Sequence, residues 1–213
     1  NPQLLIHNAT WGEDMIAAMA RTGDGLPANM IPFPVYAVTQ IGLEFLLTAH
    51  AYGAENITIL AGPTDTNETS MLKNEIALTE TVLAGLGYGG GRGELTEHID
   101  PDTLQNHLNV LKPKNGLPAS NFLAMGRKRS VMGQALKALY GNAPEPVDTI
   151  ALDPGAPFGA VIIDTAGCTL CLSCVGACPT GALKDDPDQP ELSFSEIQCV
   201  QCGLCRNTCP ESV

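Results

Sequence analysis

Eight cysteines, all within the last 46 residues, constrain this chain more than any other feature; the first 167 residues have none. Cys168, Cys171, Cys174 and Cys178 stand at C-x2-C-x2-C-x3-C and are followed by Pro179. Cys199, Cys202, Cys205 and Cys209 repeat the spacing and are followed by Pro210. A disulfide framework would spread its bridges through a small secreted domain. Structural zinc prefers C-x2-C pairs a dozen or more residues apart. A compact run of four ending in Cys-Pro, given twice, is neither pattern.

The doubled run, over about residues 151–213, resembles the two-cluster bacterial ferredoxins. The resemblance implies two [4Fe–4S] clusters with crossed ligation. Cys168, Cys171, Cys174 and Cys209 would hold the first, and Cys199, Cys202, Cys205 and Cys178 the second. The spacing suits that chemistry. Two-residue gaps let a short looping backbone bring three sulfurs to one face of a cubane. The fourth Cys turns away, and the proline after it fixes φ and removes a donor, so its sulfur can reach the other cluster. Thr169, Leu170, Leu172, Val175, Ala177, Val200 and Leu204 are small or apolar and can exclude water. Gly176 and Gly203 permit close backbone approach. Thiolate ligands imply a reducing compartment, so the expected location is the cytoplasm.

Strands should flank the clusters. Phe158–Asp164 is apolar and β-branched, Glu191–Phe194 is a second short extended segment, and Gly181–Leu183 should pair near one of them. The segment matching Gly181–Leu183 after the second Cys-Pro is cut short, so the domain is expected to lack its last strand. The chain opens Asn1-Pro2-Gln3 without a Met and reads as a piece of a longer protein.

Residues 1–111 alternate short apolar runs with helical periodicity. Leu4–Ile6, Met30–Val35, Ile57–Leu60 and Glu94–Ile99 read as extended segments. Pro32 and Pro34 disfavour a central place in a sheet. Glu13–Arg21, Gln40–Tyr52, Thr66–Leu86 and a segment marked by Leu104, Leu108 and Leu111 read as helices. Asp100-Pro101 is an N-cap followed by proline at the first helical position. Such alternation predicts a parallel sheet with helices on its faces. The expected architecture is an α/β, flavodoxin- or Rossmann-like domain at 1–111 and a helix with a Pro-rich linker at 112–157. A small α+β ferredoxin-like dicluster domain follows at 158–213.

The stretches LPANMIPFPV, AHAYGAENITILAG and VLAGLGYG, in that order, resemble the delta-type iron–sulfur subunit of methyl-viologen-reducing hydrogenases. That resemblance implies a complex linking a hydrogenase or formate dehydrogenase to heterodisulfide-reductase-type partners. The family places cysteines in the loops after its first strands. Here those loops read His7-Asn8-Ala9-Thr10 and Ala61-Gly62-Pro63, so this copy would serve as a docking scaffold without its own centre.

The other signals are weaker. Gly85-Leu86-Gly87-Tyr88-Gly89-Gly90 spells G-x-G-x-x-G but follows a helix, where a dinucleotide fingerprint follows a strand; a helix end and turn explain it. His7, His50, His98 and His107 are scattered without ligand spacing. No nucleophile elbow is present. Asp65, Glu68, Glu75 and Glu80 read as a solvated helix face, the early ones at a helix start. Arg127-Lys128-Arg129 opens a helix with Met132, Ala135, Leu136 and Leu139 on one face. Three cations there oppose the helix dipole, which suggests contact with an acidic surface. Residues 151–213 supply one, with eight acids against two bases.

The whole chain carries 23 acids and 11 bases, a net charge of −12, which excludes an ordinary nucleic-acid-binding role. No apolar run reaches the length of a membrane span. The function expected is an electron-transfer module of an oxidoreductase complex, working with redox protein partners and not itself an enzyme. The alternatives are a flavin- or nucleotide-binding oxidoreductase fed by the clusters, or an interaction domain that the clusters stabilise.

Overall fold

The computed structural model describes residues 2–63, 69–112, 114–211 and 213. They divide into two compact units, Asn1–Leu152 and Asp153–Val213.

In the first unit β1 (Gln3–Asn8) leads to α1 (Trp11–Thr22) and β2 (Met30–Val35). A 3-10 turn at Val38–Gln40 precedes α2 (Leu43–Ala51), β3 (Asn56–Leu60), α3 (Thr69–Gly85), β4 (Gly93–Thr96), α4 (Pro101–Val110) and α5 (Lys128–Gly141). The strands form one parallel sheet in the order β2-β1-β3-β4. The unit is therefore α/β with a parallel sheet, as the alternation predicts. The expected helix start at Thr66, with Asp65 and Glu68, lies outside the described residues. The expected strand Glu94–Ile99 ends at Thr96, and Ile99 is exposed.

Side-chain alternation along the strands gives each face of the sheet its own core. Ile6, Ile57 and Ile59 pack with Leu46 of α2 and Leu72 and Ile76 of α3. Leu5 and Leu60 pack on the other face with Met15 and Met19 of α1 and Leu104 and Leu108 of α4. A buried Leu contributes roughly 1.5–3 kcal/mol relative to exposure, so these two layers hold the unit. α5 lies on α2, with Met132, Ala135 and Leu139 buried and the Lys128 ammonium 2.8 Å from Glu44 Oε1. The basic helix start thus has an acidic partner inside its own unit.

The prolines of β2 sit at the sheet's edge, as expected. Asn29 and Val35 carbonyls accept from Gln3 and Ala9 of the β1 segment. By the two-residue period, Ile31 and Phe33 also face β1, while Met30, Pro32 and Pro34 face outward. Met30 N–H donates to Pro27 O at 2.9 Å, and the two prolines have no N–H. Asp100 caps α4 as its sequence suggests, accepting from Thr103 N at 2.9 Å. Buried Arg92 was not singled out in the sequence. It donates to the carbonyls of Tyr88, Glu55 and Asn115 and so ties the loop after α4 to the start of β3.

The second unit contains α6 (Ser173–Ala177), β5 (Leu183–Asp185), β6 (Leu192–Phe194), a 3-10 turn at Glu196–Gln198 and α7 (Leu204–Thr208). β5 and β6 pair antiparallel, Leu183 opposite Phe194, as the short extended segments predict. The expected strand at Phe158–Asp164 is not a strand among the described residues. A β-branched run suits a ladder only where another strand hydrogen-bonds to it, and this one is held instead by a side chain. Gln201 Nε2 donates to Ala156 O at 3.0 Å and also to Phe158 O.

Candidate metal centre

The two cysteine runs fold alike. In the first, Leu170 and Leu172 adopt left-handed backbone, φ 52° and 60°; in the second, the equivalent Gln201 and Gly203 do so at 56° and 74°. Each run then enters a one-turn helix, α6 or α7, one residue before its third cysteine. The left-handed residues reverse the chain between the first three cysteines. Leucine and glutamine in that region cost on the order of 1 kcal/mol or more each, so the loop shape is imposed by the site. Of these four positions, residue type alone marks only Gly203 for left-handed backbone. Repetition of the spacing was the signal that could have found the others.

All eight cysteines are free thiols; Cys171 and Cys202 are exposed and the rest half-buried. Seven of them, all but Cys171, line one cavity of about 970 Å³. One water occupies roughly 30 Å³, so this is room for a multi-atom group. An adjoining niche of about 30 Å³ is lined by Cys168, Cys171, Cys174 and Cys209. No three His, Cys, Asp or Glu side chains among the described residues converge as a single ion requires. Thiolates ranged around a space fit a cluster with four iron corners better than a zinc ion, whose ligands meet at about 2.3 Å from one point.

Hydrogen bonds and burial set the thiols apart. Ala182 N–H donates to Cys178 Sγ at 3.2 Å and Gln201 N–H to Cys199 Sγ at 3.4 Å. Burial pushes the Cys178 thiol up, but the backbone N–H of Leu183, the Thr180 hydroxyl and the Thr180 and Ala182 N–H groups outweigh it and bring its pKa to about 7. Ser173, through its hydroxyl and its N–H, lowers Cys171 against slight burial and the Glu211 charge. Burial raises Cys174 in spite of N–H groups around its sulfur. Donors aimed at sulfur favour thiolate, the form that ligates iron. Gly159 approaches the second run so closely that a Cβ there would stand 3.4 Å from Cys199 Sγ and 2.6 Å from Gln201 Cγ.

The weak signals resolve into structure. The glycine-rich stretch ends α3, and Gly87 turns at φ +81° with the Glu145 backbone against it. His7 and His50 are buried, each donating from Nδ1 to a carbonyl, Asn8 O at 2.9 Å and Ala54 O at 2.8 Å. The His98 ring lies 5.0 Å from that of His107 at a tilt of 51°, and His107 Nε2 lies 2.9 Å from Glu94 Oε1. Glu80 folds back onto the N–H groups of Gly91, Arg92 and Gly93. In the turn after β1, Asn8 Oδ1 accepts from Gly12 N–H at 2.7 Å, so that helix start is capped by its own chain. No helix among the described residues is long and apolar enough to cross a membrane.

No curated protein matches this sequence. Residues 167–213 match the 4Fe-4S dicluster domain family, and with the eight cysteines gathered there the cofactors are two [4Fe–4S] clusters and the chemistry is electron transfer between redox partners.

Proposed function

We propose that the second unit is a two-centre electron relay with crossed ligation. Cys168, Cys171, Cys174 and Cys209 hold one cluster, and Cys199, Cys202, Cys205 and Cys178 hold the other. The niche lined by Cys168, Cys171, Cys174 and Cys209 carries this reading, because it groups a cysteine of the second run with three of the first. When bound, each cluster takes up and gives back one electron. The chain's part is to hold the thiolates, aim N–H groups at their sulfurs, and exclude water with Leu170, Leu172, Leu192 and Val213.

In this reading residues 158–213 form the relay, 112–157 carry α5 and the Pro-rich connection, and 1–111 form a flavodoxin-like scaffold. The strand order 2-1-3-4 supports the last, since it is that of the doubly wound sheets. The stretches resembling the hydrogenase delta subunit favour a cytoplasmic complex with a hydrogenase or formate dehydrogenase as donor. Serine substitution tests the ligation. Cys178→Ser and Cys199→Ser should perturb the same electron paramagnetic resonance signal, and Cys209→Ser and Cys168→Ser the other. If Cys178→Ser instead alters the signal that Cys168→Ser alters, the crossing is wrong. Affinity isolation of the chain under anaerobic conditions, with mass spectrometry, tests the partners; recovery of no dehydrogenase or hydrogenase subunit would remove the complex from this reading.

A further inference from the structure

The two cysteine runs are an internal control on each other. Aligned from their first cysteine to the second residue after the fourth, Cys168–Thr180 against Cys199–Glu211, they differ in formal charge at two positions only. Val175 in the first run is replaced by Arg206 in the second, and Thr180 by Glu211. Both substitutions fall beside a cluster site. Arg206, next to Cys205, is the one charged side chain among the described residues lining the large cavity, which takes in all four cysteines of the site of Cys199, Cys202, Cys205 and Cys178 and three of the other. Among the described residues Glu211 is the one charged side chain lining the niche of Cys168, Cys171, Cys174 and Cys209. The Thr169 hydroxyl donates to Glu211 Oε1 at 3.4 Å, which fixes the carboxylate against the first run.

Other charges do not reproduce this difference. Asp164 precedes Cys168 and accepts its N–H at the main chain; Glu196 precedes Cys199 and does the same. Each site therefore has an acid at its entry, and the pair roughly cancels in the difference. Lys184, the other cation of residues 153–213, and the acids Asp185, Asp186, Asp188 and Glu191 line neither cavity. The N–H groups of Ala182 and Gln201 donate to Cys178 and Cys199, both ligands of the second site, and act in the same direction as Arg206.

We propose that Arg206 and Glu211 make the two cluster sites unequal, so that the site of Cys199, Cys202, Cys205 and Cys178 accepts the first electron. The inference rests on the two-cluster, crossed reading above. Reduction adds one negative charge to a site. A guanidinium beside one site stabilises that charge, and a carboxylate beside the other opposes it. Both side chains are exposed, so water and salt weaken the effect without reversing it. An electron from a low-potential one-electron donor would settle on the Arg206 side, and the Glu211 site would be the stronger reductant once both are filled.

The test is a redox titration of the full chain with both clusters assembled, followed by electron paramagnetic resonance and by the hyperfine-shifted cysteine proton resonances. The wild type should show two separate midpoints, with the resonances of Cys199, Cys202 and Cys205 responding at the higher one. Arg206→Val and Glu211→Thr each install the residue that the other run already carries. Each should narrow the gap, and together they should narrow it more than either alone. Should a variant fail to load, Arg206→Lys must keep the gap, and raising salt must shrink it in the wild type. A gap indifferent to both substitutions, or to salt, overturns the inference and leaves the relay standing. First reduction at Cys168, Cys171 and Cys174 overturns it too. Assembly of fewer than two clusters in the wild type overturns the relay reading together with it.

Discussion

Acidification from pH 7 to pH 5 should weaken the first unit through one side chain. His50 is fully buried, and its Nε2 meets no hydrogen-bond partner among the described residues. Burial lowers its pKa from 6.5 to about 4; the Ala54 carbonyl works the other way, and the Arg92 guanidinium adds to the lowering. Between those two values the unfolded chain binds more protons than the folded one, so stability falls as pH falls. The contribution is fully present above pH 6.5 and lost on the way down through 4. At about 1.4 kcal/mol per unit the whole loss is about 3 kcal/mol, and roughly 2 kcal/mol of it falls between pH 7 and pH 5. Trp11 is the only tryptophan and packs on the core of the first unit. Its fluorescence during urea unfolding therefore reads that unit. His50→Asn keeps an N–H donor near the Nδ1 position and cannot titrate. The variant should lose about 2 kcal/mol less than the wild type over this pH step. Equal losses in the two proteins would refute the assignment of the acid sensitivity to His50.

Three further outcomes are expected. Asp100→Ala removes the acceptor for Thr103 N–H and should cost about 1 kcal/mol, read as a lower urea midpoint by Trp11 fluorescence. Gly87→Ala puts a Cβ 2.9 Å from the Glu145 backbone nitrogen at a φ of +81° and should cost about 2 kcal/mol or more; an unchanged midpoint would show that the turn relaxes. In the iron-free protein, Cys178, with its pKa brought down to about 7, is half thiolate at neutral pH. Its alkylation, followed by peptide mass spectrometry, should rise through that pH and level off above it, whereas an ordinary thiol near 8.5 would still be rising.

How much of this could be read beforehand depended on how local each cause is. Cysteine spacing is dictated by the group it holds, so the two [4Fe–4S] clusters were legible in it. Asp100-Pro101 was legible because a cap acts within four residues. The prolines of β2 placed that strand at an edge because a missing donor has one consequence in any sheet. Phe158–Asp164 misled because strand propensity says nothing about whether a pairing strand exists. The left-handed Leu170, Leu172 and Gln201 were hidden because intrinsic preference argues against them and the site's geometry overrides it. The apolar face of α5 was visible, but its packing on α2 and the Lys128–Glu44 pair join residues more than eighty positions apart, which no window of sequence brings together.

The outward side of β2 has a consequence for how copies of this protein meet. A strand approaching it from solvent can donate hydrogen bonds to the carbonyls of Met30, Pro32 and Pro34 but receives none, because two of those residues have no N–H and the third is engaged with Pro27. Half of every hydrogen-bonded rung would be missing. Strand-to-strand polymerisation through that edge, the usual hazard of an exposed parallel sheet in a crowded or heated solution, is therefore blocked at the main chain. The apolar side chains Ile31 and Phe33 can stay partly exposed on the adjoining face without seeding it. Any assembly on that side has to be recognised through side chains, which can be selective, and cannot proceed through backbone pairing, which is not.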